Sequence, residues 1–143
     1  MTAHRAAILS RDVVATQRRI IGEIEMSDDW RDRYETLIEF GKRLAPMPAS
    51  LRVDRNRIRN CHGRAWLSGV PRDGGLFLSA ASEADVVAGP LAIVVEVYSG
   101  RAPDEIRSHP LTVLETTGLR NRLSPHRLAS YAEIMGRLRT LTN

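Results

Sequence analysis

A single cysteine, Cys61, stands among Arg52, Arg55, Arg57, Arg59 and Arg64, with only Asp54 opposing them. The thiolate is the form of cysteine that attacks sulfur or carbon, and cationic neighbours favour it. A free thiol with a reference pKa of about 8.5 is roughly a tenth or less ionised near neutral pH. Lowering that value by about one unit multiplies the thiolate several-fold at a modest cost in intrinsic nucleophilicity. Asn60 precedes the cysteine and His62-Gly63 follow it, a composition that reads as a turn and not a core strand. Gly63 permits close approach of another backbone or of a large partner atom. The competing reading is a solvated arginine-rich loop beside a buried cysteine that behaves as a small hydrophobe.

With one cysteine, the chain cannot form an internal disulfide or build a multi-cysteine metal cage by itself. Sulfur or redox chemistry at Cys61 therefore needs a second molecule, and a lone thiol fits a reducing compartment. Two alternatives stay open at this level. One is a cysteine hydrolase that pairs Cys61 with His109 or His126, although no hydrolase signature surrounds the cysteine. The other is an arginine-rich module that binds nucleic acid or protein, with Cys61 incidental. The net charge of +4 invites it, but 20 of the 21 basic residues are arginine and the 17 acidic residues are mixed among them. With two Trp, three Tyr and two Phe, there is little to interleave with a basic face, so a nucleic-acid partner is disfavoured. His4, His62, His109 and His126 show no metal-ligand spacing, and neither a bound metal nor a cofactor is expected.

The elements that must position Cys61 follow from periodicity. Val13, Val14, Ile20, Ile21 and Ile24 predict a helix over about 12–25. Ser27 is the expected cap of a second helix, with Asp28 and Asp29 in its first turn and Trp30, Tyr34, Leu37, Ile38 and Leu44 as its buried stripe. Pro46 and Pro48 should end it. Ala65-Trp66-Leu67 and Leu76-Phe77-Leu78 flank Pro71 to Gly75 as a hairpin, and Ile58 is a candidate for a further strand leading into Cys61. Ser82 should cap the next helix, which Gly89-Pro90 should kink or delay before the apolar run Leu91 to Val97. Short helices are expected near 103–107 and 111–117, and Ser124-Pro125 opens a last helix carrying Leu128, Tyr131, Ile134, Met135 and Leu138.

The expected class is α+β, a small antiparallel sheet with helices packed on one face. A chain of 143 residues is the size of one domain. Residues 1–19 read as an N-terminal extension, helical in its second half, and 20–143 as a single domain. The apolar stretch Ala6 to Leu9 is closed by Arg11 and Asp12, too short for an export signal or a membrane span, so the cytoplasm is the expected location.

Over residues 20 to about 139 the chain resembles the SufE family of sulfur acceptors. The matching features are Asp29-Trp30, Arg33-Tyr34, Leu37-Ile38, Gly41-Lys42 and Leu44, then Asn56, the cysteine and Trp66-Leu67. Asp73-Gly74, Phe77, Tyr98-Ser99-Gly100, Pro103, Glu105-Ile106, Leu119, Leu123-Ser124-Pro125 and Arg127 continue the match in order. The resemblance implies a SufE/IscU-like fold with an acceptor cysteine on a loop tip. It implies a pyridoxal-phosphate cysteine desulfurase, SufS- or CsdA-like, as partner, and an iron–sulfur cluster scaffold as downstream recipient. On this reading Cys61 takes the outer sulfur of the partner's persulfide and stimulates the partner, and the chain is an accessory protein and not itself an enzyme. Arg127 matches the arginine expected near the cysteine loop or partner surface, and Glu83 the second aspartate of an Asp-Ser-Asp-Ala segment. A structural ion pair is the competing role for each. His62 and Arg64 are further candidates for support, by adjacency. The chain departs from the family pattern at Asn60, His62-Gly63, Ala81, Ala88, Pro90 and Ala129-Ser130.

Overall fold

The computed structural model describes residues 2–59, 61 and 63–143, with backbone alone for 2–12. Helix α1 (Thr2–Ile24) carries Val13, Gln17, Ile20 and Ile24 on one buried face, a helical spacing that sets its contact with the core. The helix passes unbroken through the expected boundary between residues 19 and 20. The Gln17 amide donates to the Pro110 carbonyl at 3.1 Å and accepts from the Thr112 amide at 3.0 Å, which satisfies a buried polar group.

Helix α2 (Trp30–Phe40) is capped by Asp29, whose carboxylate accepts from the Arg31 amide at 2.9 Å. The sequence pointed to Ser27; its hydroxyl instead braces the cap, accepting from the Asp29 amide at 3.3 Å. A carboxylate at this position also meets the positive end of the helix dipole. Of the expected stripe Leu37 is buried, Tyr34, Ile38 and Leu44 are half-buried, and Trp30 is 38% exposed; Phe40, outside that stripe, is buried too. Trp30 is the first residue of the helix, outside the stripe that meets the core. Its ring lies under the guanidinium groups of Arg122 and Arg31, 4.9 and 5.6 Å from the ring centre.

Strands β1 (Ala65–Arg72) and β2 (Gly75–Ser82) form the antiparallel hairpin, in register from Ala65 opposite Ser82 to Arg72 opposite Gly75. Asp73 and Gly74 both have positive φ, 53° and 80°, the backbone of a two-residue turn that matches strand twist. Ile58 does not begin a third strand: a single bridge joins Arg57 to Trp66, and the sheet of the described residues has two strands. Its apolar face, with Leu67, Leu76, Leu78 and Ala80, is covered by helices.

Helix α3 (Asp85–Tyr98) is the centre of the core, and Leu91, Ile93, Val94 and Val97 are each at most 1% exposed. Complete burial of one such side chain stabilises the fold by about 1.5–3 kcal/mol. The N-cap is Ala84, not Ser82; the Ser82 hydroxyl closes a turn by accepting from the Ala84 amide at 3.0 Å. Nor does Gly89-Pro90 delay the helix, which runs through both residues. A Cβ on Gly89 would lie 2.3 Å from the Leu37 carbonyl oxygen, so this glycine lets α3 cross α2 at backbone distance. That contact surrounds the very turn where proline removes a hydrogen bond.

The chain closes with α4 (Pro103–Ser108), α5 (Val113–Thr116) and α6 (Pro125–Leu141). Ser124 caps α6, accepting from the Arg127 amide at 3.3 Å, with Pro125 in the first turn. Helix α3 packs on β2 and α6 on β1, giving the expected α+β arrangement. No helix of the described residues is long and apolar enough to cross a membrane.

Candidate functional site

The segment carrying Cys61 leaves the body of the protein at Ile58 and returns at Ala65. Its base is closed by the Ile58 amide donating to the Ala65 carbonyl at 2.8 Å and by the Glu83 amide donating to the Arg64 carbonyl at 2.9 Å. Glu83 returns the contact. Its carboxylate accepts from the Arg64 amide at 2.7 Å and from Arg64 Nε at 2.9 Å, and Arg64 Nη2 lies 2.8 Å away. The Arg64 guanidinium beside it holds the Glu83 carboxyl below its ordinary range. Gly63 has φ of 71°, and a Cβ there would sit 3.3 Å from the Glu83 Cβ. Glycine is thus what lets the loop close onto Glu83, in a left-handed conformation that other residues adopt at a cost. Asn60 and His62 lie outside the described residues, so the candidate role of His62 has no structural description.

Cys61 is partly buried and packs against the edge of the apolar core. Here the arginine-rich composition misleads. Burial pushes the Cys61 thiol up, a hydrogen bond with the Ser130 side chain opposes that rise, and the Glu133 charge adds to it. No arginine is among the described groups that move it: Arg64 is turned to Glu83, with its guanidinium also 5.5 Å from the Trp66 ring centre. Low-dielectric surroundings penalise the thiolate, so the resting sulfur is a protonated thiol.

The wall behind the sulfur comes from α6, where Arg127, Ser130 and Glu133 recur every third residue and so share a face. Arg137, one turn further, donates to the Leu67 carbonyl at 3.0 Å and to Asn56 Oδ1 at 3.1 Å. Asn56 in turn donates to the Leu51 carbonyl at 2.8 Å, so one arginine ties α6, β1 and the approach to the loop together. Beside this face a cavity of about 260 Å³ opens between α3 and α6, lined in part by Val87, Pro90, His126, Arg127, Ser130 and Ile134. Arg127 thus lines the same cavity as Ser130, the hydrogen-bond partner of Cys61. It forms no pair with Glu83; it hydrogen-bonds the Tyr34 hydroxyl and lies over the Tyr34 ring, 5.4 Å from its centre.

Of the residues singled out from sequence, the structure joins Glu83 and Arg64 at the loop base and puts Arg127 across the cavity. Ser130, Glu133 and Tyr34 were missed. The three-residue step along α6 from Arg127 was the available signal for the first two. His109 is held at the end of α4, its Nδ1 at 2.9 Å from the Glu105 carbonyl oxygen and 3.1 Å from Ser108 Oγ. Neither it nor His126 is among the groups that shift the thiol, which leaves the hydrolase pairing without geometric support. Among the described residues, no group of three or more His, Cys, Asp or Glu is arranged to hold a metal ion.

Taken together these features define a class: an α+β domain presenting one cysteine on a loop pinned at its base, its sulfur set against Ser130 and Glu133 of α6. Residues 18–142 match the family model of SufE, the Fe-S metabolism associated domain, and the chain belongs to that family. An uncharacterized SufE-like protein of Rhizobium meliloti (strain 1021) is 32% identical over 127 residues, covering 85% of this chain and 91% of the relative. The sulfur acceptor protein CsdE of Escherichia coli (strain K12) is 33% identical over 100 residues, 68% of each chain. The solution structure of a hypothetical protein from Thermus thermophilus shares the fold, with a TM-score of 0.71 at 17% identity over 88% of this chain and 92% of that one.

Proposed function

We propose that this protein is a sulfur acceptor that takes persulfide sulfur from a pyridoxal-phosphate cysteine desulfurase onto Cys61, stimulates that enzyme, and hands the sulfur on to iron–sulfur cluster assembly. The observation that carries the reading is the placement of the chain's one thiol on a loop fixed at its base, in a member of the SufE family. The Cys61 sulfur attacks the outer sulfur of the partner's persulfide. A new S–S bond forms at Cys61, the partner's S–S bond breaks, and the partner leaves as a thiolate that takes up a proton. One thiol and one persulfide are consumed and one of each is produced, so no oxidant is required.

A thiol whose ionisation is disfavoured at rest does not react indiscriminately. On this proposal the partner's docking lifts the sulfur from its contacts with α6 and supplies the environment in which it ionises. The protein acts as an accessory carrier, in the reducing cytoplasm, where a lone persulfide-bearing cysteine is not lost to disulfides.

The test mixes the protein with a cysteine desulfurase and L-cysteine and follows intact mass and desulfurase turnover. The expected result is the mass of one added sulfur on the wild type, removed by reductant, with faster turnover. Cys61→Ser should gain no sulfur and should lose the stimulation. Full stimulation by that variant would refute the reading.

A further inference from the structure

On the far side of α6 from Ser130 and Glu133 a second cavity, of about 580 Å³, opens between α6, α4 and the segment around Arg120. Its volume is within the range of about 300–1,000 Å³ typical of sites that enclose small organic ligands. Leu128 and Met135 contribute to an apolar floor, and three arginines reach it. Arg107 is already engaged, donating to the Thr142 carbonyl and paired with Asp104. Arg120 and Arg139 have no ion pair or hydrogen bond from their guanidinium groups among the described residues.

A separate observation points the same way. Tyr131 is only 6% exposed, yet its hydroxyl has no hydrogen-bond partner among the described residues. Its ring lies between the two cavities, but the groups that bear on its phenol include Tyr98 and Arg120, which line this cavity and not the one beside Cys61. Its hydroxyl is not sealed from solvent and is open to a ligand in the cavity that Tyr131 lines. Burial, with the Glu115 charge adding to it, pushes this phenol up, so at neutral pH it keeps its proton and can donate to an acceptor. Tyr98 donates to the His109 carbonyl and so is not an alternative donor. Asp104 neutralises Arg107, while Arg120 and Arg139 line the cavity with no ion pair among the described residues; Glu115, outside the lining, is the acid whose charge acts on Tyr131.

We propose that this cavity binds a small amphipathic carboxylate, its apolar body against Leu128 and Met135 and its charged end held by Arg120, Arg139 and the Tyr131 hydroxyl. The site is independent of the sulfur-acceptor reading, since Cys61 takes no part in it. Carboxylate and guanidinium match in geometry, and a phenol hydrogen bond adds a charge-assisted contact in a half-enclosed space.

The experiment titrates the full chain with octanoate and, separately, with its neutral amide octanamide, following backbone amide signals by NMR. Octanoate should shift signals along 128–139 saturably, with octanamide at least about tenfold weaker, the equivalent of about 1.4 kcal/mol. The Arg120→Gln, Arg139→Gln double variant alters exposed positions only, and should bind octanoate no better than octanamide. Tyr131→Phe should weaken octanoate several-fold, and Cys61→Ser should leave it unchanged. Absence of saturable shifts at millimolar octanoate would overturn the proposal. Equal affinity for the two ligands, or full affinity in the double variant, would overturn it as well.

Discussion

Helix α3 and the Cys61 loop lie close together, yet they are held by opposite means. The helix is fixed by apolar burial on nearly every side and by a backbone-distance crossing with α2 at Gly89. The loop is fixed by hydrogen bonds at its two ends and by an exposed ion pair between Arg64 and Glu83. Burial of this kind is worth kilocalories per residue and gives way only when the whole domain unfolds. An exposed ion pair adds little to global stability and is weakened by salt. The segment carrying Cys61 is thus held by weaker means than the helix at the centre of the core. Apolar burial is concentrated in α3, while the lone thiol sits in a segment held by polar contacts at its base.

The largest expected effect tests the rigid side. Gly89→Ala places a methyl group against the Leu37 carbonyl, where no side-chain rearrangement can relieve it. Alanine's better helix propensity offsets only about 1 kcal/mol. The net loss should be about 2–3 kcal/mol, read from the shift of the urea midpoint. An unchanged midpoint would mean that α2 and α3 do not cross as closely as described.

The next test addresses the compliant side. Glu83→Gln removes the charge that holds Arg64 while keeping the side-chain shape. Alkylation of Cys61 by iodoacetamide should accelerate several-fold, with the urea midpoint nearly unchanged. Raising the salt concentration should move the wild type in the same direction and leave the variant unaffected. Equal alkylation rates in the two proteins would show that the ion pair does not restrain the loop.

The same division explains what could be read from sequence. Apolar periodicity located α1, α2, α3, α6 and the hairpin, because burial repeats at 3.6 or 2 residues and leaves its mark in composition. Where two polar candidates competed for one local role, the choice was not legible. Asp29 and not Ser27 caps α2, and Ala84 and not Ser82 precedes α3, because such caps depend on the approach angle of the chain. Trp30 looked like part of the buried stripe since hydropathy does not record where a helix meets its neighbours. At the candidate site, Cys61, Glu83, Arg64 and Arg127 were identifiable from the chain, but their pairing was not. Five nearby arginines suggested a thiolate, whereas charge acts through space, and in space the sulfur faces α6. Ser130 and Glu133 come from the opposite end of the sequence.

The smallest expected effect, and the sharpest test of that last point, concerns the titration of the thiol. The pH dependence of alkylation should give an apparent pKa above that of an ordinary cysteine, because burial disfavours the charged form. Removing the opposing hydrogen bond with Ser130→Ala should move it further up, and removing the neighbouring charge with Glu133→Gln should move it down. The linkage follows with a definite sign. The folded state holds the Cys61 proton more tightly than the unfolded chain does, so this group's contribution to stability is complete below the unfolded pKa and is lost as pH rises through the folded one. Urea midpoints measured across that range should therefore fall more for the wild type than for Cys61→Ser. If arginine charge governed the sulfur instead, the apparent pKa would lie below the ordinary value and the Glu133 substitution would have no effect. Opposite shifts in the two α6 variants would locate control of the sulfur on the helix behind it, leaving the loop's own arginines to hold the loop in place.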